Sequence, residues 1–166
     1  MNVKQMIELA KKGHEDSFSR LIKMHQVRLY QYLLVRCHSV HDAEDVLQDT
    51  FINAFKYLNS YDSKWEFSTW LFTIANRLIN KQHKMYYQNK EITTINQIAE
   101  LEKCFIDKSN IWVLIKSIIK SEAYDVLWFY YVEELSIKEI SIILHKSISW
   151  VKMTLLRNKK KLARSN

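Results

Sequence analysis

Three groups of side chains in this 166-residue chain have types and spacings that could do chemistry or binding. Cys37-His38-Ser39-Val40-His41 puts three metal-ligating side chains within five positions. Structural zinc takes four ligands at knuckle-like spacing and no fourth is evident, so a polar helix junction is the favoured reading and no metal is expected. Asp45 and Asp49 lie four residues apart, on the same side of any helix that contains them, and repel each other modestly. A partner that supplies arginines would relieve the repulsion. Tyr61, Trp65 and Phe67 fall within seven positions with Lys64 among them. Ring faces next to cations suit single-stranded bases, whose stacking on an aromatic side chain is worth about 1 to 3 kcal/mol each. None of the three is a nucleophile beside a base. Six scattered histidines and no Gly-rich phosphate loop leave no catalytic constellation, so neither an enzyme nor a cofactor is expected.

Helices must position these groups. Ala43, Val46, Leu47, Phe51, Ala54, Phe55 and Leu58 recur at helical spacing, which buries one stripe and turns Asp45, Gln48, Asp49 and Asn53 outward. The run from Asn59 to Lys64 is polar enough to be a connection. Ser68-Thr69 can cap a helix beginning near Trp70, with Trp70, Leu71, Ile74 and Leu78 inward and Asn76, Arg77, Asn80, Lys81 and Lys84 on or beside a solvated face. Trp70 is in phase with the core, and Phe67 can staple the helix start. Tyr61, Ser63, Lys64 and Trp65 are left as the residues expected to meet DNA. Upstream, Val3, Met6, Ile7 and Ala10 predict a short helix ended by Gly13. From Phe18 to Cys37 a long scaffold helix is expected, starting at Asp16 or Ser17, with Met24 among its inward residues.

Downstream, Ile111 to Ile119 and Tyr124 to Val132 predict two apolar helices. Ser136 with Glu139 forms a capping-box signal. A turn at His145-Lys146-Ser147 follows, and Ser147 or Ser149 opens a last helix with Ile148, Val151 and Leu155 inward. This is helix-turn-helix spacing, a unit that places the start of its second helix in the major groove. The candidate DNA-facing set is Ser147, Ser149, Trp150, Lys152, Met153, Arg157 and Lys160. Lys146 to Asn166 holds seven basic residues and no acid, which suits phosphate neutralisation.

The absence of proline and a single glycine, Gly13, make an all-α fold the economical expectation. Its form is two small helical domains, residues 1–88 and 111–166, joined by a linker over 89–110, the second domain a helix-turn-helix. The linker has weak periodicity, with a short helical piece expected around Gln97 to Phe105. A net charge of +7 and a pI near 9.3 favour a polyanionic partner. Cys37 and Cys104 are too few for a disulfide framework. The N-terminus has no signal-like apolar core, and nothing approaches the roughly 20 apolar residues of a membrane span, so a cytoplasmic protein without membrane insertion is expected.

An acidic helix followed by Phe67-Ser68-Thr69-Trp70-Leu71-Phe72-Thr73-Ile74-Ala75 resembles region 2 of bacterial RNA polymerase sigma factors of the extracytoplasmic-function (ECF) type. Tyr131-Val132-Glu133-Glu134-Leu135-Ser136-Ile137-Lys138-Glu139-Ile140-Ser141, with Trp150-Val151-Lys152 and the basic tail, resembles sigma region 4. The resemblance implies that Asp42 to Leu58 docks on the clamp helices of core RNA polymerase, through Asp45, Gln48, Asp49 and Asn53. It implies that the aromatic loop and the basic helix melt and read the minus-ten promoter element, and that the last helix reads the minus-thirty-five element. Its implied partners are core polymerase, through clamp helices and flap, promoter DNA, and an anti-sigma protein. The chain departs from the pattern in five places. Ala75-Asn76-Arg77 replaces an Ala-Arg-Asn order, and Lys81 stands where an acid is usual. Glu134 and His145 replace glycines, and Thr154 replaces an arginine. A left-handed backbone at His145 would cost on the order of 1 kcal/mol, which predicts a reshaped turn. The alternative expectation is a polymerase-independent helix-turn-helix regulator.

Overall fold

The computed structural model describes residues 1–88 and 110–164. The linker helix expected around Gln97 to Phe105, and Cys104, lie outside the described residues. The chain divides into two compact units, Met1–Lys90 and Glu91–Asn166, and the described residues contain no strand.

The first unit is built from α1 (Val3–Lys11), α2 (Glu15–Arg36), α3 (Val40–Lys56), a 3-10 turn (Leu58–Ser60) and α4 (Phe67–Gln88). Asn2 caps α1 in a capping box with Gln5, and Gly13 at φ 92° ends the connection to α2. That angle is one glycine takes without steric cost. α2 starts at Glu15, just ahead of the expected position, with Glu15 and Asp16 placed at the positive end of its dipole. Met24, expected inward, is exposed. Ser39 caps α3 by accepting a hydrogen bond from the Asp42 N–H at 3.0 Å.

Met6, Ile7 and Ala10 of α1, Phe18, Leu21 and Ile22 of α2, Ala54 and Leu58 at the end of α3, and Tyr61, Phe67 and Leu71 share one core. Rings meet edge-on across the helices: Phe18 on Phe55 at 5.1 Å and Tyr32 on Phe72 at 5.5 Å. The inner stripe of α3 is Ala43, Val46, Thr50 and Ala54. Phe55, expected inside, is half exposed, and Leu47 and Phe51 are only partly covered. Thr50 takes the buried place because its hydroxyl donates to the Val46 carbonyl at 2.7 Å, which removes the cost of an unpaired polar group.

The second unit contains α5 (Asn110–Ile118), α6 (Ser121–Tyr131), α7 (Ile137–Leu144) and α8 (Ile148–Arg164). Every residue of α6 from Ala123 to Phe129 is buried, as suits the central helix of a small bundle. Trp112 packs edge-on against Tyr124 and Trp128, at 5.6 and 5.1 Å. Ser136 and Glu139 form the expected capping box at the start of α7. No helix among the described residues is long and apolar enough to cross a membrane.

The two positions where glycine is usual keep the glycine-like backbone. Glu134 has φ 54° and His145 φ 52°. The expected reshaping of the turn does not occur. Each left-handed residue lets the next N–H reach back into the helix it ends, Leu135 to the Phe129 carbonyl at 2.9 Å and Lys146 to the Ser141 carbonyl at 3.0 Å.

Candidate nucleic-acid and partner interfaces

On α3, Asp45, Gln48 and Asp49 are exposed, and Asn53 is half buried with its amide donating to the Asp49 carbonyl at 2.8 Å. Ile52 and Phe55 are half exposed beside them, so the face is acidic at one end and apolar at the other. Phase counting put Phe55 in the core, since a stripe of apolar residues wider than the buried surface reads as core throughout, and it assigned Ile52 to neither face. It also missed His41, one turn before Asp45, with Nε2 3.7 Å from the Asp45 carboxylate.

The loop after α3 is organised on Tyr61. Its ring packs edge-on against Phe67 at 5.5 Å and lies tilted against Trp70 at 5.4 Å, and its hydroxyl donates to the Trp65 carbonyl. Burial first, and then the negative charges of Glu66 and Asp62, raise this hydroxyl above its ordinary pKa of 10.0. The residue is only 7% exposed. Tyr61, expected to present a face to DNA, is therefore a core residue. Within the loop, the Asp62 carboxylate accepts from the Lys64 N–H at 2.9 Å and the Asp62 carbonyl from the Trp65 N–H at 3.2 Å. Ser63 and Lys64 are left exposed and Trp65 half buried, with the Lys64 ammonium 5.7 Å from the Trp65 ring centroid.

α4 begins at Phe67, three residues before the expected start near Trp70, so Ser68 and Thr69 lie inside the helix rather than capping it, and Thr69 is buried. Arg77, Asn80, Lys81 and Lys84 are exposed and recur at i, i+3, i+4 and i+7, so they form one cationic face. Asn76, expected on or beside that face, is 3% exposed and belongs to the packed side of the helix. The order Ala75-Asn76-Arg77 thus turns the arginine outward and the asparagine inward.

The cysteine and histidine cluster separates. Cys37 is buried, while His38 stacks on Tyr86 at 3.9 Å and lies 4.8 Å from the His83 ring. His83 Nε2 is 2.9 Å from the Arg36 carbonyl, so this end of α4 is tied to the junction of α2 and α3. Among the described residues no group of three or more such side chains is placed to hold a metal ion.

In the second unit the Ser147 hydroxyl accepts from the Trp150 N–H at 3.1 Å and caps α8. Ser149, Lys152, Met153, Arg157 and Lys160 are exposed along one face of that helix, and Leu156 joins them. Ile148, expected inward, is 44% exposed, whereas Val151 is fully buried. Trp150 is half buried, with Lys146 5.1 Å from its ring centroid and 3.0 Å from the Glu122 carboxylate. Lys161 donates to the Ile118 carbonyl at 2.9 Å, which engages it inside the unit.

Residues 21–85 match the model of sigma-70 region 2. The chain is 31% identical over 180 aligned residues to the ECF RNA polymerase sigma factor SigW of Bacillus subtilis (strain 168), covering 98% of this chain and 95% of SigW. It belongs to the ECF RNA polymerase sigma factors. As a member of this family it binds RNA polymerase and directs promoter recognition, and the reading as a polymerase-independent regulator has no support. Solved ECF sigma factors share the fold. CnrH in complex with the cytosolic domain of CnrY superposes with a TM-score of 0.71 at 22% identity, over 96% of this chain and 93% of that one. The sigma factor RpoE in complex with the anti-sigma factor NepR, from Bartonella quintana, gives 0.70 at 15% identity, over 89% and 94%.

Proposed function

We propose a division of labour for this ECF sigma factor. Residues 1–88 dock on core polymerase and open the minus-ten element, residues 111–166 read the minus-thirty-five element, and 89–110 link them. The exposed face of α3, with Asp45, Gln48, Asp49 and Ile52, meets the clamp helices, and Asn53 contributes at its edge. Ser63, Lys64 and Trp65 hold a base freed from the duplex, while Arg77, Asn80, Lys81 and Lys84 neutralise the phosphates of the separated strands. In the second unit Ser149, Trp150, Lys152, Met153, Arg157 and Lys160 enter the major groove, with Ser147 fixing the helix start. The protein performs no bond chemistry; it positions and opens DNA for the enzyme that does.

The observation that carries this reading is the segregation of charge within one small unit. An acidic face on α3 and a cationic face on α4 are both exposed, and the loop connecting the two helices offers an aromatic ring beside a cation. Because solved relatives of the same fold include one bound to an anti-sigma factor, an anti-sigma partner is part of the proposal.

The test is assembly with core polymerase followed by run-off transcription on genomic fragments. The native chain is expected to comigrate with core enzyme and to start RNA chains that core enzyme alone does not start. Asp45→Arg with Asp49→Arg is expected to abolish comigration at unchanged helicity by circular dichroism. Comigration of that double variant at native affinity would overturn the docking assignment.

A further inference from the structure

The loop that presents Lys64 and Trp65 is held from outside by a residue far away in sequence. Lys11, in the last turn of α1, donates to the Tyr61 carbonyl at 3.3 Å, and its ammonium lies 5.7 Å from the Tyr61 ring centroid. The Lys11 side chain is 24% exposed and 3.9 Å from the Glu8 carboxylate, so its head group is partly withdrawn from water. Tyr61 is then fixed at three points: its carbonyl by Lys11, its ring by Phe67 and Trp70, and its hydroxyl by the Trp65 carbonyl. Together with the Asp62 hydrogen bonds to the N–H groups of Lys64 and Trp65, these contacts close residues 61–65 into one small ring of chain.

We infer that Lys11 and the Tyr61 hydroxyl are positioning residues for promoter opening: neither touches DNA, and together they hold the Lys64 and Trp65 side chains in the arrangement that receives a freed base. The inference rests on the proposed role of the loop. A loop that had to be ordered on binding would charge that ordering against strand separation, whereas one already ordered by α1 does not. Since the cation meets both the carbonyl and the ring, arginine can replace it and an apolar side chain of similar length cannot.

The test uses holoenzyme assembled from core polymerase with native chain, Lys11→Met, Lys11→Arg, Tyr61→Phe or Trp65→Ala, on a promoter with 2-aminopurine in the minus-ten segment. Strand opening is read by fluorescence, polymerase affinity by titration, and folding by thermal melting. Lys11→Met and Tyr61→Phe are expected to slow opening by about three- to tenfold, the loss of roughly one hydrogen bond, at native polymerase affinity. Lys11→Arg is expected to open at the native rate. Native-rate opening by Lys11→Met and Tyr61→Phe while Trp65→Ala is slow would overturn the brace and leave the loop's role standing. If Trp65→Ala also opens at the native rate, the reading of the loop itself fails. Slowing that tracks a lowered melting temperature, or that Lys11→Arg shares, would reduce both residues to scaffold.

Discussion

At the scale of single residues, the two left-handed positions are the clearest departures from what local sterics prefer. Glu134 and His145 carry a Cβ where the backbone favours none, at a cost of about 1 to 2 kcal/mol each. Glycine would remove that strain and restore part of the difference as unfolded-state entropy. Glu134→Gly and His145→Gly are each expected to stabilise the second unit by about 0.5 to 1 kcal/mol, read as a rise in the urea midpoint. His25 makes a second residue-scale prediction. Its ring packs 5.6 Å from Phe67, and burial first, then the charge of Arg28, lowers its pKa from the ordinary 6.5. Below pH 6.5 the unfolded chain therefore binds a proton the folded chain refuses. Stability falls as pH drops through that value and levels off below the folded one. Melting curves from about pH 8 to about pH 5 are expected to show this acid-side loss for the native chain and to show less of it for His25→Leu, once the carboxylate contribution common to both is subtracted.

At the scale of elements, the cationic face of α4 is a repeated device with a measurable exponent. Each phosphate contact on single-stranded DNA contributes about 0.7 to the slope of log affinity against log salt. Lys81→Gln with Lys84→Gln is expected to flatten the salt dependence of holoenzyme binding to a pre-opened promoter by about 1.4 on the same rule, and to leave helix content unchanged. Helical periodicity made this stripe legible in advance, because i, i+3, i+4 spacing survives whatever the helix packs against. The same reasoning failed at Asn76 and Tyr61 for two different reasons. Polarity put Asn76 outside, yet its phase in α4 puts it 3% exposed. Tyr61 lies in an irregular loop, where no periodicity tells an inward ring from an outward one. Thr50 was hidden for the opposite reason, since a hydroxyl that bonds its own helix can occupy a core position without registering as apolar. The capping box at Ser136 was readable because both of its partners lie within one turn. The brace from Lys11 was not, because it spans 50 residues and uses a backbone carbonyl.

At the scale of the whole molecule, a net charge of +7 conceals two surfaces of opposite sign, and their separation predicts that the two binding reactions can be disabled independently. On α8, Lys152, Arg157 and Lys160 are exposed and face the groove in the proposed reading, whereas Lys161 is engaged with the Ile118 carbonyl and Lys146 with Glu122. The first three are then placed to displace counterions on the face proposed to enter the groove. Replacing Lys152, Arg157 and Lys160 with glutamine is expected to lower the salt slope for duplex carrying the minus-thirty-five element by up to about 3, at about 0.9 per contact. Titration of the same variant against core polymerase should give the native affinity, because the acidic face of α3 is untouched. Asp45→Arg with Asp49→Arg should do the reverse, losing core enzyme while adding positive charge to the chain. If net charge rather than its placement governed both reactions, the glutamine variant would bind polymerase more tightly and the arginine variant would bind free DNA with the affinity of a promoter complex. Either result would mean that the faces do not act as separate sites, so measuring both variants in both assays separates the two accounts.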